Sequence, residues 1–173
     1  MRLLNKIILI FVFAVFGYAS IVDDYISEKY EKICTFKNIH DYRNDEKALS
    51  IIGVSCVKLD NIYMLSYLIN KLKKTDFGRK NAIYFLTILM QKKLLYSYLF
   101  DNMPLNSFNL PLTDYVLSYV FEKIKNKEFQ KQDGVIIIKG AKEGVVYKVY
   151  KNEDKMYLDE YMNDNLTKRR WYK

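Results

Sequence analysis

The sequence predicts a mainly helical fold of about five helices with a small C-terminal antiparallel β-hairpin or three-stranded meander, α+β overall. Three observations lead there. Apolar residues recur at helical spacing from Asp23 to about Phe129. Past Gln130 the pattern changes to β-branched runs, Val135–Lys139 and Val145–Tyr150, separated by a glycine-bearing turn. Half of the 173 residues are hydrophobic, with 16 Tyr and 10 Phe, which is ample material for a core and is not a disordered composition.

Ahead of the helices stands an export signal. Arg2 and Lys6 form a charged head, Ile7 to Phe16 is uncharged and apolar, and Gly17-Tyr18-Ala19 supplies small residues where a signal peptidase reads. Cleavage is expected before Ser20. A retained anchor would need about 20 apolar residues, and charge returns at Asp23 and Asp24. The expected organisation is a cleavable signal peptide at 1–19, a helical domain at 20–130, and a β-hairpin appendage with a basic tail at 131–173, packed on the helices.

A first helix is expected from Asp24 to Phe36, followed by a polar loop from Lys37 to Asn44 that holds His40 and Asp41. A second runs from Asp45 to Leu59. Asp60 or Asn61 can cap a third, ending at Lys73-Lys74, where cations suit a helix C-terminus. Thr75 or Asp76 caps a fourth that reaches about Phe100. It is apolar on nearly every face up to Met90 and so reads as the central, most buried helix. Asn102 to Pro111 is a loop. Thr113 caps a fifth helix with the stripe Leu112, Tyr115, Val116, Tyr119 and Val120.

Similar strings recur at Leu65–Asn70, Tyr96–Asp101 and Leu117–Glu122, the first two 31 residues apart. That period suits stacked helix-pair repeats, although the third string falls out of step. In the C-terminal part, Gly140–Gly144 turns between two strands and Lys151–Asp154 turns toward a weaker third strand, Lys155–Leu158. From Asp159 onward a short helix or frayed tail is expected.

Cys34 and Cys56 are the two cysteines. An even count in an exported chain favours a disulfide. Ile26, Tyr30 and Cys34 would share one helical stripe and Ala48, Ile52, Cys56 and Leu59 another, so packing the two stripes would bring the sulfurs together. Closing a loop of about 22 residues stabilises a fold by roughly 3 kcal/mol.

The chain carries 28 basic and 20 acidic residues, and without Arg2 and Lys6 the excess falls from eight to six. The basic residues are spread along the chain except at Lys168-Arg169-Arg170-Trp171, the candidate binding surface. Such a cluster attracts anionic lipid, glycan or an acidic partner, and salt screens the attraction. Nucleic acid is not expected as a partner of an exported protein. Low Pro and Gly with abundant Lys, Asn, Ile and Tyr suggest a bacterial gene of low GC content, and with it a periplasmic address, the extracellular medium being the alternative.

Catalytic chemistry finds little footing. His40 is the sole histidine, and no serine sits in a nucleophile-elbow context. Lys139–Gly144 lacks the spacing of a phosphate-binding loop. Neighbouring carboxylates such as Asp23-Asp24, Glu153-Asp154 and Asp159-Glu160 read as caps and turns. No catalytic residue, cofactor or metal is expected. The first reading is an exported, non-enzymatic protein-interaction module whose partner is another envelope or periplasmic protein. The second is an envelope-associated protein held on anionic lipid or glycan by its basic surface. A small hydrolase comes third.

Overall fold

In the computed structural model, residues 21–173 are described; the expected signal peptide and its cleavage site lie outside the described residues. By internal packing the chain divides between Leu86 and Thr87.

The N-terminal unit begins with helical residues at 21–26, and Glu28 then takes a left-handed φ of 55° and ends that run. Helix α1 is Tyr30–Ile33 and α2 is Phe36–Asp41, so the run at 21–26 and the single turn of α1 stand where one helix from Asp24 to Phe36 was expected, and α2 takes up most of the expected loop. Residues cast as a loop, His40 and Asp41 among them, are helical. Local side-chain chemistry explains the change. Thr35 is extended and its hydroxyl accepts from Asn38 N at 3.1 Å, starting α2. The Asn38 amide returns to the carbonyls of Lys32 and Ile33, both at 2.9 Å, and closes α1.

Helix α3, Glu46–Lys58, is capped by Asp45, whose carboxylate accepts from Lys47 N and Ala48 N. Its buried stripe includes Ala48, Ile52 and Cys56. Cys56 forms a disulfide with Cys34, which follows α1, across a sequence separation of 22. The stripe predicted to deliver Cys34 does not hold, because Ile26 is exposed.

The expected third helix is instead two 3-10 segments, Ile62–Tyr67 and Ile69–Lys71. Ile62, Leu65 and Leu68 are all buried and stand three apart. A spacing of three stacks side chains on one side of a helix with about 3.0 residues per turn. Asn61 makes no cap bond that would start an α-helix.

Helix α4, Asp76–Asp101, starts where Thr75 accepts from Gly78 N at 2.9 Å. It is not the all-round buried helix expected: Phe85, Ile88 and Leu95 are buried, whereas Phe77, Ile83, Leu86 and Met90 are about half exposed. Within the N-terminal unit Phe85 lies against Gly53 of α3, and a Cβ on Gly53 would stand 2.2 Å from the ring. A glycine is therefore required at the α3–α4 crossing.

Glu46 ties the start of α3 to the start of α4. Its carboxylate accepts from Lys73 N at 2.6 Å, Lys74 N at 2.5 Å and Thr75 N at 2.8 Å, and also from the Thr75 hydroxyl. Led by the Thr75 hydrogen bond and helped by the three amides, this holds its pKa down from 4.5 to about 2, against the opposing effect of burial.

The C-terminal unit holds the rest of α4, helix α5 at Val116–Lys125, and a sheet. Leu112 is exposed; the buried residues of α5 are Leu117, Ser118, Val120, Phe121 and Ile124. A buried polar relay joins α4 to α5: Ser118 Oγ donates to Gln91 Oε1 at 2.7 Å, and Gln91 Nε2 donates to the Pro111 carbonyl.

The sheet overturns the predicted hairpin or three-stranded meander. It has five antiparallel strands in sequence order: β1 Gln130–Gln132, β2 Val135–Lys139, β3 Val145–Asn152, β4 Lys155–Met162 and β5 Asn165–Tyr172. The fold is α+β, with a sheet in place of an appendage. Two signals account for the difference. Asp133-Gly134, both at positive φ, is the short turn that pairs β1 with β2. Asn163-Asp164, at φ 48° and 65°, makes the same kind of turn between β4 and β5. The residues from Asp159 onward, expected as a short helix or frayed tail, are thus the second half of β4 and all of β5.

The repeat reading fails with it. The three similar strings fall across the two 3-10 segments, in the last turns of α4 and in the body of α5. They share residue types but not structural positions.

Two outcomes follow. Gly53→Ala must displace the buried Phe85 ring, and chemical denaturation is expected to show a loss of roughly 1–3 kcal/mol, part of it recovered in Gly53→Ala/Phe85→Leu. Glu46→Gln is expected to cost roughly 1–3 kcal/mol near neutral pH. Because the folded-state pKa lies below the ordinary value, the carboxylate contributes fully above pH 4.5 and loses its contribution as pH falls to about 2. The stability gap between wild type and Glu46→Gln should therefore close across that interval.

Candidate functional site

Side chains alternate between the two faces of a strand, so register divides the sheet. One row runs Ile136, Val149, Leu158 and another Met156, Tyr172, and all five are buried. This inner face meets helices of its own unit. The Tyr115 and Tyr172 hydroxyls are 2.8 Å apart, Tyr96 OH donates to the Asp154 carbonyl, and Tyr119 OH donates to the Lys139 carbonyl at 2.7 Å.

The outer face is aromatic and partly open. Tyr150, Tyr157 and Trp171 form one cross-strand row. Tyr150 and Tyr157 stack with centroids 5.3 Å apart and planes 9° from parallel. Lys155 sits over Trp171 and Lys148 over Tyr161, each at 4.4 Å from the ring centre, so cations cap the rings. Trp171 is 57% exposed and Leu166 46%.

In the middle of this face lies a buried acid. Asp159 receives a two-point bond from Arg169, Nε to Oδ1 at 2.8 Å and Nη2 to Oδ2 at 2.7 Å. Tyr150 OH donates to Oδ2 at 3.1 Å. The Asp159 side chain is 2% exposed while that of Arg169 is 52% exposed. The paired carboxylate drives the guanidinium pKa further above its already high value, and burial followed by the same carboxylate raises that of Tyr150.

No family model, curated protein or solved structure matches this chain.

The predicted binding residues all lie on β5, and the sheet employs their charge. Arg169 is bound to Asp159, Arg170 to Glu160 at 2.9 Å, and the following Lys173 to Asp154. Lys168 stands opposite Glu160 in register. Of the four residues, Trp171 and Arg169 face the open side, and Lys168 and Arg170 have the opposite parity. The aromatic row of Tyr150 and Tyr157 went unread, although the spacing Tyr-x₆-Tyr across the Glu153-Asp154 turn would have marked it.

β5 is also the last strand, bonded to β4 alone within the sheet. Counting from the Asn163-Asp164 turn through the bulge opposite Glu160 and Tyr161, the N–H and C=O of Arg169 and Trp171 turn away from β4. Elsewhere, Cys34 and Cys56 are joined and make no reactive thiol. His40 is exposed on α2, 3.4 Å from the Asp41 carboxylate. Among the described residues no group of three or more His, Cys, Asp or Glu gathers to hold a metal, and no helix is long and apolar enough to cross a membrane.

Arg169→Ala leaves the Asp159 carboxylate buried with one tyrosine hydroxyl. Thermal unfolding is expected to show a loss of roughly 1–3 kcal/mol, with Arg169→Lys intermediate because it keeps the charge but not the fork. Asp159→Asn/Arg169→Ala should recover part of the loss.

Proposed function

We propose that this protein is exported and works as a non-enzymatic protein-interaction module in the periplasm, docking an extended, acid-bearing segment of another protein along β5. The observation that carries the reading is β5 itself: an eight-residue edge strand with Trp171 exposed and outward backbone groups at Arg169 and Trp171. An edge of this kind is a template for strand addition, in which main-chain bonds give affinity and side chains give selectivity.

Charge selects the partner. β5 carries Lys168, Arg169 and Arg170 and no acid, while the acids that pair with its arginines sit inboard on β4. A second copy of the same strand would set cations against cations, which disfavours self-pairing. An acidic strand meets the opposite situation. The stacked tyrosines and Trp171 supply apolar contact area beside the edge, the kind of surface protein partners use. The disulfide agrees with an oxidising compartment. The open edge of β5, with outward backbone groups at Arg169 and Trp171, favours this reading over attraction of lipid or glycan by the tail.

The test is site-specific photo-crosslinking in the native host from residue 166 or 171, with the mature N-terminus read by mass spectrometry. A single stoichiometric partner is expected, captured through an acidic segment and lost in Trp171→Pro, which removes an outward N–H without touching the β4 ladder. Crosslinks that survive that variant, while it melts close to the wild type, would overturn the docking site. A chain that keeps residues 1–19 would overturn the export.

A further inference from the structure

Two hollows open in the N-terminal unit on either side of Glu46. One, of about 370 Å³, is lined by Arg43, Asn44, Asn70, Lys71, Lys73 and Lys74 around Glu46. The other, of about 640 Å³, has Ile51 and Phe77 as its apolar walls. They share Asn44, Glu46 and Lys74, and so meet along one seam.

The first hollow sets four cations against one carboxylate, an excess of three positive charges. The Glu46 charge is already counted in that excess, and its two oxygens are occupied by three amides and the Thr75 hydroxyl, so the four cations are not drawn into bonds with it. Among the described residues no carboxylate is ion-paired to Arg43, Lys71, Lys73 or Lys74, and the Arg43 guanidinium is steadied by the His40 carbonyl. A concave surface lined with one sign of charge concentrates the opposite ion. The amides of Lys73, Lys74 and Thr75 are consumed by Glu46, so an anion here is gripped by side chains and not by the loop backbone.

The second hollow adds a different preference. Phe77 is 53% exposed beside Ile51, in the first turn of α4. An apolar wall reached across a shared seam from a cationic one fits a ligand with the same two halves. We propose that the pair of hollows binds an anionic amphiphile: a phosphate-type headgroup among Arg43, Lys71, Lys73 and Lys74, its aliphatic chain along Ile51 and Phe77. This goes beyond the interaction reading and does not depend on β5, which lies in the other unit.

Calorimetric titration of the mature protein with dodecyl phosphate, inorganic phosphate and uncharged dodecyl maltoside, all as monomers, tests both halves. Dodecyl phosphate should bind at least roughly tenfold more tightly than either of the others and weaken as salt rises. Equal binding of inorganic phosphate would overturn the apolar half, and equal binding of the maltoside the anionic half. Lys73→Gln/Lys74→Gln and, on a separate segment, Arg43→Gln should each weaken dodecyl phosphate by roughly tenfold. The lysine pair holds Glu46 through main-chain amides, so these substitutions leave the fold's own bonds in place. Phe77→Ser should weaken the amphiphile but not inorganic phosphate. Lys139→Gln/Lys142→Gln, the same charge change near the β2–β3 turn, should alter nothing; if it weakens binding as much, net charge alone is responsible and the site is refuted. Cosedimentation with phosphatidylglycerol vesicles, lost in Lys73→Gln/Lys74→Gln, would assign the headgroup to a bilayer, whereas titration without cosedimentation would assign a free lipid.

Discussion

The Glu46 carboxylate sits where three structural transitions coincide: the first turn of α3, the end of the second 3-10 segment and the approach to α4. Three consecutive amides, Lys73 to Thr75, point at it because nothing within their own segment accepts them. The turn leading into α4 would otherwise carry three donors without partners, and the chain before the helix would have no fixed path. The same carboxylate ties the start of α3 to the start of α4, and Gly53 then lets Phe85 close the gap about two turns further along α3. Asn81 completes the register by donating to Ser50 Oγ at 2.9 Å, while Ser50 returns its own proton to the Glu46 carbonyl. A covalent tie at Cys34–Cys56 and a buried ion thus hold opposite ends of α3, and the short pieces before and after it need no long-range propensity of their own.

A different constraint governs the C-terminal unit. Its helices can bury only one face of the sheet, so the central strands β2 to β4 hide side chains on that face and find company for the others, while β1 is exposed throughout and β5 buries only Tyr172. The inner face does this with Ile136, Ile138, Val149, Met156 and Leu158. The outer face instead pairs its members laterally, ring on ring and cation on ring, with the Asp159–Arg169 bond at its centre. Lateral pairing stiffens a surface that still has solvent on one side. That is a useful property where a partner must be met by a preformed shape, because little rotamer freedom remains to be lost on contact.

Much of this was legible, and the parts that were not have physical reasons. Caps at Asp45 and Thr75 fix α3 and the start of α4 because a side chain one residue ahead declares them. The disulfide was readable from the even cysteine count together with the expected export, though the stripe invoked to place Cys34 is wrong. The α1–α2 break was hidden because Thr35 and Asn38 act as a pair, each unremarkable alone. The 3-10 segments were hidden because a spacing of three resembles one of 3.6 over two turns. β5 was missed for a sharper reason: Lys-Arg-Arg lowers strand propensity when read alone. Only the mirrored order, Asp159-Glu160 before the Asn163-Asp164 turn and Arg169-Arg170 after it, reveals two strands that neutralise each other.

That mirrored order bears on what charge in a sequence means. The densest basic run, Lys168 to Arg170, looks like the attracting surface, yet two of its three members are committed to carboxylates on the neighbouring strand. Arg43 and Lys71 to Lys74 are unremarkable along the chain, separated by the whole of α3 and the 3-10 segments. Folding brings them to one hollow around a carboxylate whose lone pairs are already engaged. Attraction at short range depends on charge left over after the fold has taken its own share, not on charge written consecutively. By that measure the hollow around Glu46 keeps more uncommitted positive charge than the consecutive basic run of β5, where both arginines are paired.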